Sequence, residues 1–359
     1  MNHSSERPLF IEMLRAESRD LTDRKAKAGK LGELPSPEPG AGLFTILTAN
    51  QWIHAEQQKP APKMLFDHFW LQGELCILFA DTNMGKSILA VQLGNSISRC
   101  EPIDHFAVHA DPSNVLYIDF ELSAKQFELR YTDNGRPYDF GPGFFRAEFN
   151  PLAPLPYNFK DFDEYISSAI EYAVKRTGAD VLIIDNITCL RSGTEHASQA
   201  LPLMQHLKTL KTKHDLSILV LAHTPKRNPV NPISRNDLGG SKMLINFADS
   251  AFAIGESHSM PGHRYLKQIK QRSGGETYGA GNVCLCRLER RGSLLRHVFT
   301  GHAREADHLR HPTVQERERT AAKVAELHAA GLSQREIAAK LKMGLATVNK
   351  MVNWAREAS

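Results

Sequence analysis

The sequence predicts an α/β protein built on a mainly parallel central sheet, followed by a small all-helical module. Three observations carry this. A short apolar run, Leu75-Cys-Ile-Leu-Phe-Ala80, breaks into a Gly85-Lys86-Ser87 turn and then into a helix with apolar periodicity. Downstream, apolar strands alternate with helical stretches, the order that requires parallel pairing through helical crossovers. Near the C-terminus the apolar residues fall at the spacing of a helix-turn-helix.

The totals set the frame. A chain of 359 residues can bury one full α/β domain with length left for smaller pieces. A hydrophobic content of 42% without any run of about eighteen apolar residues, and without a charged-then-apolar leader, leads us to expect neither a membrane span nor a secretory signal. The expected compartment is the cytoplasm. A net charge of +4 is too small to argue for a nucleic-acid partner by itself. Cys76, Cys100, Cys189, Cys284 and Cys286 are scattered, mostly in apolar runs, and read as reduced core residues.

Taken in order, residues 1–43 are charge-rich and end in Pro and Gly, a composition expected to stay disordered. Residues 44–300 form the expected main domain, opening with a short helix around Trp52. Its strands are expected at Leu75 to Phe79, Val115 to Phe120, Val181 to Asp185, Ser217 to Ala222 and Ala248 to Ile254. Helices are expected at Ser87 to Ser98, Ala124 to Tyr131, Phe162 to Lys175 and Ala200 to Lys213. From Tyr265 to Thr300, closely spaced strands with Gly turns predict antiparallel pairs closing one edge. Residues 301–312 are polar and His-rich, and read as a linker. Residues 313–359 read as the helix-turn-helix domain, with a capping box at Ser333-Gln-Arg-Glu336.

The chemistry begins at Ala80-Asp81-Thr82-Asn83-Met84-Gly85-Lys86-Ser87-Ile88. This fits a phosphate-binding loop, G-x-x-x-x-G-K-[ST], with Ala80 in place of the first Gly. Such a loop curls so that backbone N–H groups and a helix N-terminus face an anion. Lys86 would meet the phosphates and Ser87 would offer its hydroxyl to Mg2+, so the expected ligands are ATP and Mg2+. Asp185 closes the apolar strand Asp180-Val-Leu-Ile-Ile-Asp185 at its C-terminal end, where nucleotide sites form, and is the expected metal-side acid. Hydrolysis also needs a group to orient water. The residue after Asp185 is Asn186, so Glu121, one strand away, is the first candidate and Asp119 the second.

At this point the stretch Val115-Leu-Tyr-Ile-Asp-Phe-Glu121-Leu-Ser-Ala-Lys-Gln126 resembles DnaB-type hexameric replicative helicases and the RepA-like ATPases of plasmids and mobile elements, within the RecA-like P-loop superfamily. The resemblance covers about Gln72 to Thr300. It implies that Glu121 is the general base and that His223, in Ile218-Leu-Val-Leu-Ala-His223, senses the γ-phosphate. It implies further that Lys270 and Arg272, in Lys267-Gln-Ile-Lys270-Gln-Arg272, reach the site of an adjacent subunit in a ring, expected to be a hexamer. The N-terminal helical domain of DnaB-type proteins has no counterpart here.

DNA is the expected partner. The loop after His223 carries Lys226, Arg227, Arg235 and Lys242 among Pro and Gly, which suits tracking a phosphate backbone. The C-terminal module resembles recombinase and resolvase DNA-binding domains. Ile337, Leu341, Met343, Val348 and Met351 pack inward by their spacing, leaving Thr347, Asn349 and Lys350 to face duplex DNA. A small helical bundle used for protein contacts is the other reading of this module. At the level of the whole chain, the alternative to a DNA motor is an ATP-switched regulator acting through the helix-turn-helix.

Overall fold

The computed structural model describes residues 44–187, 190, 197–225, 227–239, 242–341 and 343–357. The expectations for residues 1–43, Cys189 and Lys226 fall outside them, and the side chain of Lys242 is not described. The chain divides into two compact units, Met1–Ala61 and Pro62–Ser359. In the first, Ala49–Gln57 is a short helix started by a capping box, in which the Thr48 hydroxyl accepts from Gln51 N–H and the Gln51 side chain accepts from Thr48 N–H.

In the second unit the strands are β1 (Met64–Phe66), β2 (Trp70–Leu71), β3 (Leu75–Ala80), β4 (Val115–Asp119), β5 (Thr132–Asp133), β6 (Arg136–Pro137), β7 (Phe144–Glu148), β8 (Val181–Asp185), β9 (Ser217–His223), β10 (Ser250–Glu256), β11 (His263–Gln271), β12 (Val283–Arg291) and β13 (Leu294–Ala303). Nine of them form one sheet in the order β13-β12-β11-β10-β3-β9-β8-β4-β7. From β10 to β7 every pair is parallel, and β11 to β13 close the other edge antiparallel. The fold is therefore the expected α/β class, with a mainly parallel central sheet.

The central strands are buried along their whole length because helices cover both faces of the sheet, and their sequences are accordingly continuous apolar runs. Two apolar clusters result. Leu75, Ile77 and Phe79 face one side with Leu203, Leu207 and Ile170. Cys76 and Leu78 face the other with Leu89, Leu93 and Ile97 of the helix Lys86–Arg99. Strand β7 was not legible in the sequence. Its residues Phe-Phe-Arg-Ala-Glu are only half-buried at the sheet edge, so they show neither a continuous apolar run nor strict alternation.

The stretch 301–312 departs from the expected linker. Residues 301–303 complete β13, and Glu305–His308 form a 3-10 turn whose Glu305 is buried. Glu305 pairs with Lys267 of β11, accepts from Ile233 N–H at 2.7 Å and lies 3.3 Å from the Tyr265 hydroxyl. A buried carboxylate needs such partners, and finding them ties the segment to the core. Beyond it, the helices Val314–Ala329, Gln334–Leu341 and Leu345–Glu357 enclose their own small core of Val324, Leu327, Ile337, Val348 and Val352. Leu341, Met343 and Met351 pack against it, as their spacing predicts.

Among the described residues, no helix is long and apolar enough to cross a membrane.

Candidate nucleotide site

The site lies where β3, β9, β8 and β4 end, at the C-terminal edge of the parallel sheet. Ala80 is the last residue of β3 and needs no left-handed angle; those fall on Asn83 (φ 64°) and Gly85 (φ 87°). This is why Ala serves in place of the first Gly, while Gly85 sits where a side chain would be strained. The helix Lys86–Arg99 starts directly from that turn and leaves its first N–H groups for an anion. Thr82, Asn83, Gly85, Lys86, Ser87 and Ile88 line a cavity of about 230 Å³ with Glu121, Arg130, His223 and Leu288.

Lys86 is buried and turns back over the loop. Its Nζ donates to the carbonyls of Ala80 (3.0 Å) and Asp81 (3.1 Å) and to His223 Nδ1 (3.3 Å). Burial holds its pKa below the ordinary lysine value, against the pull of Asp185, Glu121 and Asp81. His223 is placed by register, since it pairs with Ala80 across β3 and β9. Nδ1 accepts from Lys86, while Nε2 lies 3.4 Å from Glu121 Oε1 and 3.2 Å from Asn186 Nδ2. Asn186 also donates to that carboxylate oxygen. The His223 ring beside Glu121 is the chief cause holding its carboxyl below the usual range, with burial opposing.

Asp185 ends β8 and is almost wholly buried, which raises its pKa to about 6; hydrogen bonds from Ser87 and Tyr117 work the other way. The Tyr117 hydroxyl donates to Asp185 Oδ2 at 2.7 Å. A serine hydroxyl and a carboxylate are hard oxygen donors of the kind Mg2+ takes, and the burial that disfavours the bare carboxylate is what a cation would relieve. The residues present therefore fit a MgATP site.

Asp119, the second candidate base, has other work. Its fully buried carboxylate pairs with Arg146 at 2.9 Å and accepts from the N–H groups of Glu121 (3.0 Å) and Leu122 (2.9 Å). It shapes the turn that presents Glu121. Arg130 lines the cavity from the helix Ala124–Arg130, and the sequence reading passed over it because one helical arginine carries no pattern of its own.

The expected DNA contacts divide. Arg227 does not face solvent: its side chain is 8% exposed, its Nε lies 3.7 Å from Asp81 Oδ2, and it donates to Asn231 O at 2.8 Å. The loop carboxylate draws it inward. Arg235 is exposed, with its Nε 3.3 Å from Ile269 O. Thr347, Asn349 and Lys350 are exposed on the last helix, and Thr347 lines a cleft with Arg317, Arg319 and Lys323.

Lys270 and Arg272 lie at the other end of the sheet from the phosphate loop, because Lys270 pairs with Ala251 and Gln271 with Ser250, beside the start of β3. Lys270 donates to the carbonyls of Ile245 and Asn246, and Arg272 pairs with Asp249 at 3.3 Å. Burial, with Arg272, Arg235 and Lys208 adding like charge, lowers the pKa of Lys270 to about 8.

The AAA domain family matches residues 45–229, just over half of the chain, and the chain belongs to that family of P-loop ATPase domains. The match spans the phosphate loop, Glu121, Asp185 and His223, and ends before Lys270 and the C-terminal helices. No curated protein matches the sequence. Among solved structures, a KaiC-like protein from the hyperthermophilic archaeon Pyrococcus horikoshii is similar, at 13% identity and a TM-score of 0.42, over 65% of this chain and 93% of that one.

Proposed function

We infer that the protein hydrolyses ATP with Mg2+ and uses the cycle to act on DNA as a ring-forming motor or loader of the plasmid or mobile-element type. The observation that carries the ATPase reading is the convergence of Lys86, Ser87, Glu121 and His223, from three strand ends, on one cavity, with the buried Asp185 behind it hydrogen-bonded to Ser87. Lys86 and the loop amides would bind the β- and γ-phosphates, and Ser87 and Asp185 would hold the metal. Bound Mg2+ would neutralise phosphate charge. Glu121, anionic and fixed by His223 and Asn186, is positioned to orient a water and take its proton. His223 touches both Lys86 and Glu121, so a change at the terminal phosphate would move it.

Lys270 and Arg272 are a strand's length, about 15–20 Å, from their own phosphate loop. Cations so placed are out of reach of their own loop, and action on a neighbour's site would favour a closed ring of subunits. Arg235 lies beside them and could contact a strand in the pore. A second reading, the ATP-switched regulator, is favoured by the independent core of the C-terminal helices and the exposed Asn349 and Lys350. Turnover of MgATP with and without single-stranded DNA, and strand displacement on a forked substrate, test the proposal. Unwinding supports the motor; sequence-specific duplex binding without unwinding supports the regulator.

A further inference from the structure

We propose that His297, on β13 and 212 residues beyond the phosphate loop, is a positioning residue that sets the curl of that loop by holding the Gly85 carbonyl. The proposal rests on the reading of residues 80–87 as a triphosphate site. His297 is fully buried, and its Nε2 lies 3.0 Å from Gly85 O. Its other nitrogen, Nδ1, lies 3.4 Å from Cys286 Sγ. Burial pushes its pKa down to about 4, so the ring is neutral and has one N–H to give. A carbonyl can only accept, so that hydrogen sits on Nε2 and the Cys286 thiol donates to Nδ1.

The His297 backbone is itself clamped. Gln92, on the helix that the loop starts, accepts from His297 N–H at 2.9 Å and donates to His297 O at 3.0 Å. Leu288 pairs with His297 across β12 and β13, and lines the nucleotide cavity. The antiparallel hairpin is thus pressed against the loop from outside: a Cβ at Gly85 would meet His297 Nε2 at 2.8 Å and Leu288 Cδ2 at 3.2 Å. Gly85 is required here for its approach to the ring as well as for its backbone angle.

What this does for binding follows from the peptide unit. In a planar trans peptide the carbonyl of one residue and the N–H of the next point in opposite directions. Pinning the Gly85 carbonyl against His297 aims the Lys86 N–H away from the hairpin, toward the hollow of the loop. That amide is one of those a phosphate-binding loop uses. The Leu89 N–H, 3.0 Å from the same carbonyl, would satisfy it without the histidine, so the ring adds direction rather than rescuing an unpaired group.

The test uses the full chain and two variants that separate the nitrogens. The amide of His297→Gln can occupy the place of Nε2; that of His297→Asn occupies the place of Nδ1 and falls short of Gly85. In calorimetric titrations His297→Asn should weaken MgADP binding by about three- to tenfold, one hydrogen bond's worth, while His297→Gln stays within about twofold of the wild type. Wild-type affinity in His297→Asn overturns the proposal. So does an equal loss in both variants that tracks their melting temperatures, which marks mere packing. Should the Asn chain not fold, Gln92→Met releases the His297 backbone, and unchanged MgADP affinity in it also overturns the proposal. Lys86→Ala runs alongside: if the wild type binds no nucleotide, the phosphate-loop reading fails and this role with it. If the wild type binds, Lys86→Ala does not and His297→Asn binds normally, only the role of His297 fails.

Discussion

Glu121 Oε1 lies 3.4 Å from His223 Nε2, and the same histidine takes a hydrogen bond from Lys86 on its other nitrogen. One ring thereby links the phosphate-side lysine to the water-side acid. Glu121→Gln should keep MgATP binding and lose about 10²-fold or more in turnover, the usual reach of a general base. Binding by fluorescence and single-turnover hydrolysis check this, and a Gln variant that turns over normally would remove Glu121 from the role.

Asp119→Asn should behave differently. The carboxylate neutralises Arg146 in a buried pair and holds two N–H groups of the turn before the helix Ala124–Arg130. Its loss should cost about 2–4 kcal/mol of stability, read as a lower denaturant midpoint, with folded protein still able to hydrolyse ATP. If Asp119→Asn instead abolishes turnover at unchanged stability, the base is misassigned.

The acid limb of activity should sit near pH 6. Burial raises the pKa of Asp185 to about 6, so protonation competes with metal there as pH falls, and the metal requirement should rise below that value. Tyr117→Phe removes a hydrogen bond that favours the carboxylate, so the limb should move to higher pH. A pH profile at several Mg2+ concentrations checks both; an unmoved limb in Tyr117→Phe contradicts the assignment.

Mixing Arg272→Ala with Lys86→Ala subunits should restore part of the lost turnover, because a mixed interface can pair an intact loop with an intact arginine. The placement of Arg272 near Asn246 and Asp249, at the far end of the sheet, leaves it no access to its own loop. No recovery at any ratio would count against action between subunits.

Much of the site was legible because its parts announce themselves locally. Gly85-Lys86-Ser87 needs a strand before and a helix after, and Asp185 and His223 each end an apolar strand that can only be central. What the sequence hid is what depends on partners distant along the chain. Arg227 looks like a loop cation until Asp81 draws it inward. Residues 301–312 look like linker until Glu305 meets Lys267. His297 sits among Arg296 and Val298 with nothing to mark it, and only β13 packing brings it to Gly85. Asp119 and Glu121 stand two residues apart, one ending a strand and one in the turn after it, and the partners of Asp119, Arg146 above all, separate their roles.

The most direct test of the account is steady-state MgATP hydrolysis by the full chain and by Lys86→Ala. The account predicts measurable turnover by the wild type and loss of at least about 10²-fold in the variant, whose missing ammonium leaves phosphate charge uncompensated. Equal turnover by the two proteins, or none by the wild type with MgATP alone and with single-stranded DNA, would contradict it.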